Sequence, residues 1–219
     1  MRKWPVVLLL GLALLLAGCS GEVSTDLYIQ DILDALELDE EVLTIGTISI
    51  EAGGSEFMEG MVNFFNMYFR EPTNFREQSR DYSTYTMADV KIPVLDITDG
   101  ELDLSDDIIA LVVAFDEEEG QILFGLAVNQ ERFASAADYV QEEFWTTLSF
   151  SDFNVQVRVI NDTRETVRLA LQNVYVNQKP VLYSEDYQLA RRDALDIRFA
   201  DVIRDYAYEE GYVFVGAIW

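Results

Sequence analysis

One cysteine, no histidine and forty carboxylates set the chemistry open to this chain of 219 residues. Cys19 follows the apolar run from Val6 to Leu16, VVLLLGLALLL, after Ala17 and Gly18, and it carries the only thiol in the sequence. The lack of histidine excludes imidazole triads, histidine general bases and histidine metal ligands. A single thiol excludes an internal disulfide and a thiolate zinc site. Carboxylate chemistry remains: two acids can hydrolyse a glycosidic bond unaided by histidine, and bunched acids can hold Ca²⁺. The densest bunch is DITDGELDLSDD (96–107), with Asp96, Asp99, Glu101, Asp103, Asp106 and Asp107. It misses the EF-hand pattern, because no alternating acidic or amide ligands precede Gly100 and no glutamate closes the loop at the right distance. The stretch therefore reads as a solvated acidic loop, with a Ca²⁺-dependent surface binding module as the alternative. No carboxylate pair is singled out by a motif, and Gly53-Gly54 lacks the lysine and serine of a phosphate loop in the needed frame. Catalytic residues, cofactor-binding residues and metal ligands are accordingly assigned to none, and a carboxylate-based glycan hydrolase stands as a second alternative.

The 11 apolar residues before the cysteine are too few to span a bilayer as a helix, which takes about 20 residues. With Arg2 and Lys3 ahead and the small residues Ala17 and Gly18 behind, they have the form of a secretory leader. Leu16-Ala17-Gly18-Cys19 resembles the lipobox of bacterial lipoproteins at all four positions. The resemblance implies cleavage before Cys19, diacylglycerol on its sulfur and acylation of the new amine. One buried acyl chain holds a protein only marginally, at ~0.8 kcal/mol per methylene, whereas two or three give lasting attachment. Residues 1–18 are thus expected to be the signal peptide, Cys19 the lipidation site and 19–25 (through SGEVST) a lipidated tether. Ser20 after the cysteine resembles an outer-membrane sorting signal, should the host be diderm. The expected location is the cell envelope, with the membrane as partner through the anchor on Cys19.

Charge narrows the partners. The net charge is −25, or −27 without Arg2 and Lys3. Such a surface repels nucleic acid and anionic lipid head groups. Lys3, Lys91 and Lys179 stand against twelve arginines. This composition suits a salt-rich habitat or simply a solvated acidic surface.

Periodicity places the elements. TDLYIQDILDALEL reads as a helix capped by Ser24 or Thr25. LTIGTISIEA (43–52) alternates as a strand, and Phe57, Met61, Phe64, Phe65 and Tyr68 recur at helical spacing. Residues 70–83 carry Pro72 and read as a loop before the strand 84–97. IIALVVAF and QILFGLAV flank the turn DEEEG (116–120) as a hairpin. NQERFASAADYVQEEF is a helix capped by Asn129. After Leu148 the chain turns to strands, with turns at Asn161-Asp162 and Asn177-Gln178 and a short helix near DVIRDYAYEE before the last strand. The expected class is α+β, mixed or antiparallel sheets with two or three packed helices. A split-βαβ-like part over 26–146 precedes a β-rich part over 147–219, across a soft boundary that leaves one domain open.

TDLYIQDI, LTIGTISIE and NDTRETVRLALQNVYVNQKPV together resemble an uncharacterised family of small lipoproteins from bacteria and their phages. That resemblance implies an envelope location and a prophage origin, and it supplies no catalytic residues. The long acidic stretch at 96–107 departs from it. The function expected is a membrane-anchored, non-enzymatic envelope binding or structural protein with an envelope protein as partner.

Overall fold

Small and apolar side chains alternate along β1 (Cys19–Tyr28), so that Cys19, Gly21, Val23, Thr25 and Leu27 turn inward. This strand sits in the middle of the sheet, between β2 (Val42–Ile50), antiparallel, and β7 (Leu148–Ile160), parallel. The computed structural model describes residues 19–38, 41–52, 54, 56–80 and 83–219. The leader expected over 1–18 lies outside them. The tether expected over 19–25 is instead part of β1. Its polar residues Ser20, Glu22 and Ser24 are one face of a strand whose other face is core, an alternation too short to recognise beside the leader. Gly21 lets β1 and β7 approach, since a Cβ there would lie 2.4 Å from the ring of Phe153.

The sheet runs outward from β1 on both sides. Through β2 it reaches β4 (Ser83–Asp96), whose far edge is shared by β3 (Arg70–Arg80), antiparallel, and β5 (Ile109–Asp116), parallel. It continues through β6 (Gln121–Val128), β13 (Tyr212–Ile218) and β8 (Val167–Leu171) to β11 (Glu185–Leu189). On the other side β7 leads to β12 (Ala194–Phe199), β9 (Val174–Val176) and β10 (Lys179–Val181). Only residues 182–184 join the two outermost strands, β10 and β11, so the sheet curls back into a nearly barrel-shaped form.

Four helices are present among the described residues: α1 (Ile29–Glu37), α2 (Met58–Tyr68), α3 (Gln130–Phe144) and α4 (Asp201–Glu210). None is long and apolar enough to cross a membrane. The helical stripe on α2 is core: Met61, Phe64, Phe65 and Tyr68 are buried. Phe133 of α3 meets Phe150 and Phe153 of β7 and Tyr208 of α4 edge to face. The Asn129 side chain caps α3, accepting the Arg132 N–H at 2.9 Å.

The mixed α+β class holds, while its expected division does not describe the sheet. β1 pairs with β7, and β6 with β13, so strands from either side of residue 146 alternate in one sheet. Three local readings are also corrected. Helix α1 begins at Ile29 rather than after Ser24 or Thr25, because Leu27 is committed to the core of β1. Residues 70–80 form β3 rather than a loop; its exposed edge and bulges near Thr73 hide the alternation. β7 and β8 are not a hairpin. Buried Asn161 turns the chain away between them, donating its amide to Glu165 O and Leu189 O and accepting from Thr163.

Candidate functional site

Cys19 is the first residue of β1 and lies beside the link between α3 and β7. Its N–H donates to Thr147 O at 2.8 Å, and its Sγ is 3.3 Å from Thr146 Oγ1. The side chain is buried. Burial pushes the thiol pKa up, against the hydrogen bond from Thr146 and with a further push from the charge of Glu51. A buried thiol held in its neutral form is a poor nucleophile. Any transfer of lipid to this sulfur must therefore precede the docking of β1.

The next residue is fastened tightly. The Ser20 hydroxyl donates to Glu51 Oε2 at 2.7 Å and lies 3.0 Å from the Tyr85 hydroxyl, while the Ser83 hydroxyl donates to Glu51 Oε1. Burial raises the Glu51 carboxyl, but the hydrogen bonds from Ser83 and from the hydroxyl and N–H of Ser20 outweigh it and hold it below the usual carboxylate range. The start of β1 is thus locked to β2 and β4 and leaves no slack between Cys19 and the sheet.

The outward residues of β12, β7, β1, β2 and β4 line a polar cleft of about 790 Å³. Charges of both signs alternate across it. Arg76 pairs with Asp89 at 2.9 Å, and Arg158 with Asp196 at 3.7 Å. Thr47 and Asn74 also donate to Asp89. Burial opposes ionisation of Asp89, yet the bonds from Asn74, Arg76 and Thr47 and the charge of Arg76 hold its carboxyl down. At one end Asp31 is pushed up, chiefly by burial. Lys91 lines the cleft with no ion pair among the described residues. Such a surface suits a polar partner read by charge and hydrogen bonds.

The acidic stretch 96–107 is more than a solvated loop. Ile97 and Leu104 are buried with Ala110, Val112 and Ala114 of β5 and Ala127 of β6, which clamps the segment onto the outside of the sheet. Asp96 accepts from Thr98, and Asp103 from the Ser105 N–H. Asp107 is buried and bound bidentately by Arg70, at 2.7 Å from Nε and 2.6 Å from Nη2. Among the described residues no three acidic or thiol groups are placed to share a metal ion. Replacing Asp99, Asp103 and Asp106 with asparagine is expected to leave the fold intact. Melting of parent and variant should respond alike to sodium and calcium chloride at matched ionic strength. A calcium-specific rise in Tm, abolished by the substitutions, would instead establish a site.

The structure thus separates the sequence's two candidates. Cys19 stands at the head of the central strand, and the acids of 96–107 lie against β5, outside the cleft. Sequence reasoning missed the cleft, although its signal was visible as the polar members of alternating strands (Ser24 and Asp26 in β1, Gln156 and Arg158 in β7). It also missed the Ser20–Glu51–Ser83 lock, whose members are too far apart in the chain to suggest one another.

A curled mixed sheet packed with helices and bearing an open polar cleft defines an α+β domain. The chain belongs to a family known by a domain of unknown function, DUF7424, whose family model matches residues 21–218. Neither a curated protein nor a solved structure matches it.

Proposed function

We propose that this protein is a bacterial envelope lipoprotein, anchored through Cys19, that works by binding or structural support rather than by catalysis. The observation that carries the reading is Leu16-Ala17-Gly18-Cys19 placed directly before the central strand of the domain. The family match begins at Gly21, immediately beyond the anchor position, which suits a domain displayed from it. The polar cleft is the face offered to an envelope protein partner, and the acidic surface keeps nucleic acid away. The likeness to small bacterial and phage lipoproteins supports an envelope location and a prophage origin, and Ser20 after the cysteine supports the outer membrane of a diderm host.

The glycan-hydrolase alternative has one observation in its favour: Asp31, pushed up, and Asp89, held down, line the same cleft. Both oxygens of Asp89 are already taken, Oδ1 by Thr47 and Arg76 and Oδ2 by Asn74. It is poorly placed to activate water, and the binding reading is preferred. Among the described residues no arrangement favours the calcium module.

Growth with labelled palmitate and fractionation of parent and Cys19→Ala test the anchor. The parent should carry label and sediment with membranes. The variant should carry none, because no other residue of the chain can accept the diacylglycerol. Equal labelling of both would remove the reading.

A further inference from the structure

Helix α3 ends in an unusual way. Its C-cap is Trp145, with φ 59° and ψ 32°, in the left-handed region. Glycine or asparagine normally takes that position, because a Cβ is disfavoured there and a bulky side chain more so. The indole gains no packing in return, since Trp145 is 90 % exposed. The backbone there closes the helix, with the Trp145 N–H donating to Gln141 O at 3.1 Å, but that role needs no indole, and a large side chain held in solvent on a strained residue points to function.

Its position says which. The two residues that follow it, Thr146 and Thr147, are the ones that touch Cys19, through Sγ at 3.3 Å and through the Cys19 N–H at 2.8 Å. Phe144, just before it, packs edge to face on Phe57 with ring centroids 5.7 Å apart, and Phe57 is itself 38 % exposed. Aromatic surface is therefore gathered at the rim of the sheet where β1 begins. Tryptophan has an apolar body and one N–H, and it favours the boundary between head groups and acyl chains.

We infer that Trp145 is a membrane-interface anchor that seats this rim of the domain on the bilayer. The inference rests on lipidation of Cys19 and adds the orientation: because Ser20 is locked to Glu51, a lipid on Cys19 holds the rim at the surface and brings the indole to the interface. The neighbouring acids Glu142, Glu143 and Glu59 disfavour anionic lipid, so the seat is a zwitterionic surface.

The test uses the full mature lipoprotein in phosphatidylcholine vesicles, with plain or brominated acyl chains. The leader takes Trp4 with it, so Trp219→Phe leaves Trp145 as the only indole and Trp145→Phe leaves Trp219. The Trp145 emission should shift to the blue on reconstitution and be quenched by the brominated chains, whereas Trp219 should respond to neither. Adding phosphatidylglycerol to the vesicles should weaken the quenching. A palmitate-labelled chain whose Trp145 emission is the same in plain and brominated lipid would overturn the inference and leave the anchor standing. A chain without palmitate on Cys19 would overturn both.

Discussion

Phe64→Ala is expected to lower the stability of the domain by about 3–5 kcal/mol in urea melts, the range for deleting a fully buried phenylalanine. Phe64 is 1 % exposed. Its ring meets Phe65, Tyr68, Phe69 and Tyr139, with centroids 5.3 to 6.0 Å apart. It also borders a small apolar void lined by Val23, Ile50 and Phe133, so the substitution enlarges a gap between sheet and helices that neither can readily close. Phe57→Ala is the control. That ring lies at the surface end of the same helical stripe and is expected to cost less than about 1 kcal/mol. A change below about 1 kcal/mol at Phe64 would mean that the stripe is not core.

Arg70→Met removes the cation from a buried carboxylate and is expected to cost about 3 kcal/mol at neutral pH, the lower end for a broken buried pair because Arg70 is partly exposed. The pH dependence carries the diagnosis. Burial pushes the Asp107 carboxyl up, against the hydrogen bonds and charge of Arg70. The folded group therefore titrates above its unfolded value and binds more protons in the native state between the two. Its contribution is fully present below the unfolded pKa and is lost as pH rises through the folded one. Without Arg70 the folded value rises further. The deficit of the variant should then be largest at neutral pH and shrink on acidification as Asp107 becomes neutral. Glu51 and Asp89 have the opposite sign: their carboxyls are held down, and their contribution is lost as pH falls through the folded values. Both chains share that acid loss, so it cancels in the difference between them, which reports the removal of Arg70 from buried Asp107 and from its second, more exposed partner Glu41. A deficit independent of pH would show that Arg70 matters for packing alone.

Particular residues show what the sequence could and could not reveal. The stripe from Met61 to Tyr68, the Asn129 cap and the turn at Asn177-Gln178, with φ of 48° and 69°, were legible because each signal lies within a few neighbouring residues. Mixed α+β content followed from such local signals. The pairing of β1 with β7 did not, because nothing near Val23 announces a partner at Val155. Asp107 was grouped with its solvated neighbours, since its partner Arg70 is 37 residues away. Trp145, just beyond the helix read over 129–144, carried no signal of its own, because its conformation and exposure are properties of the folded chain. The anchor proposed at Cys19 rests on four contiguous residues, Leu16 to Cys19, and needs no distant partner to be read.

The central claim is the anchor on Cys19, and the mass of the N-terminal peptide of the membrane-purified protein tests it most directly. The mature chain should begin at Cys19, lack residues 1–18 and carry diacylglycerol on the sulfur. A peptide with unmodified Cys19, or one that still includes Gly18, would contradict it.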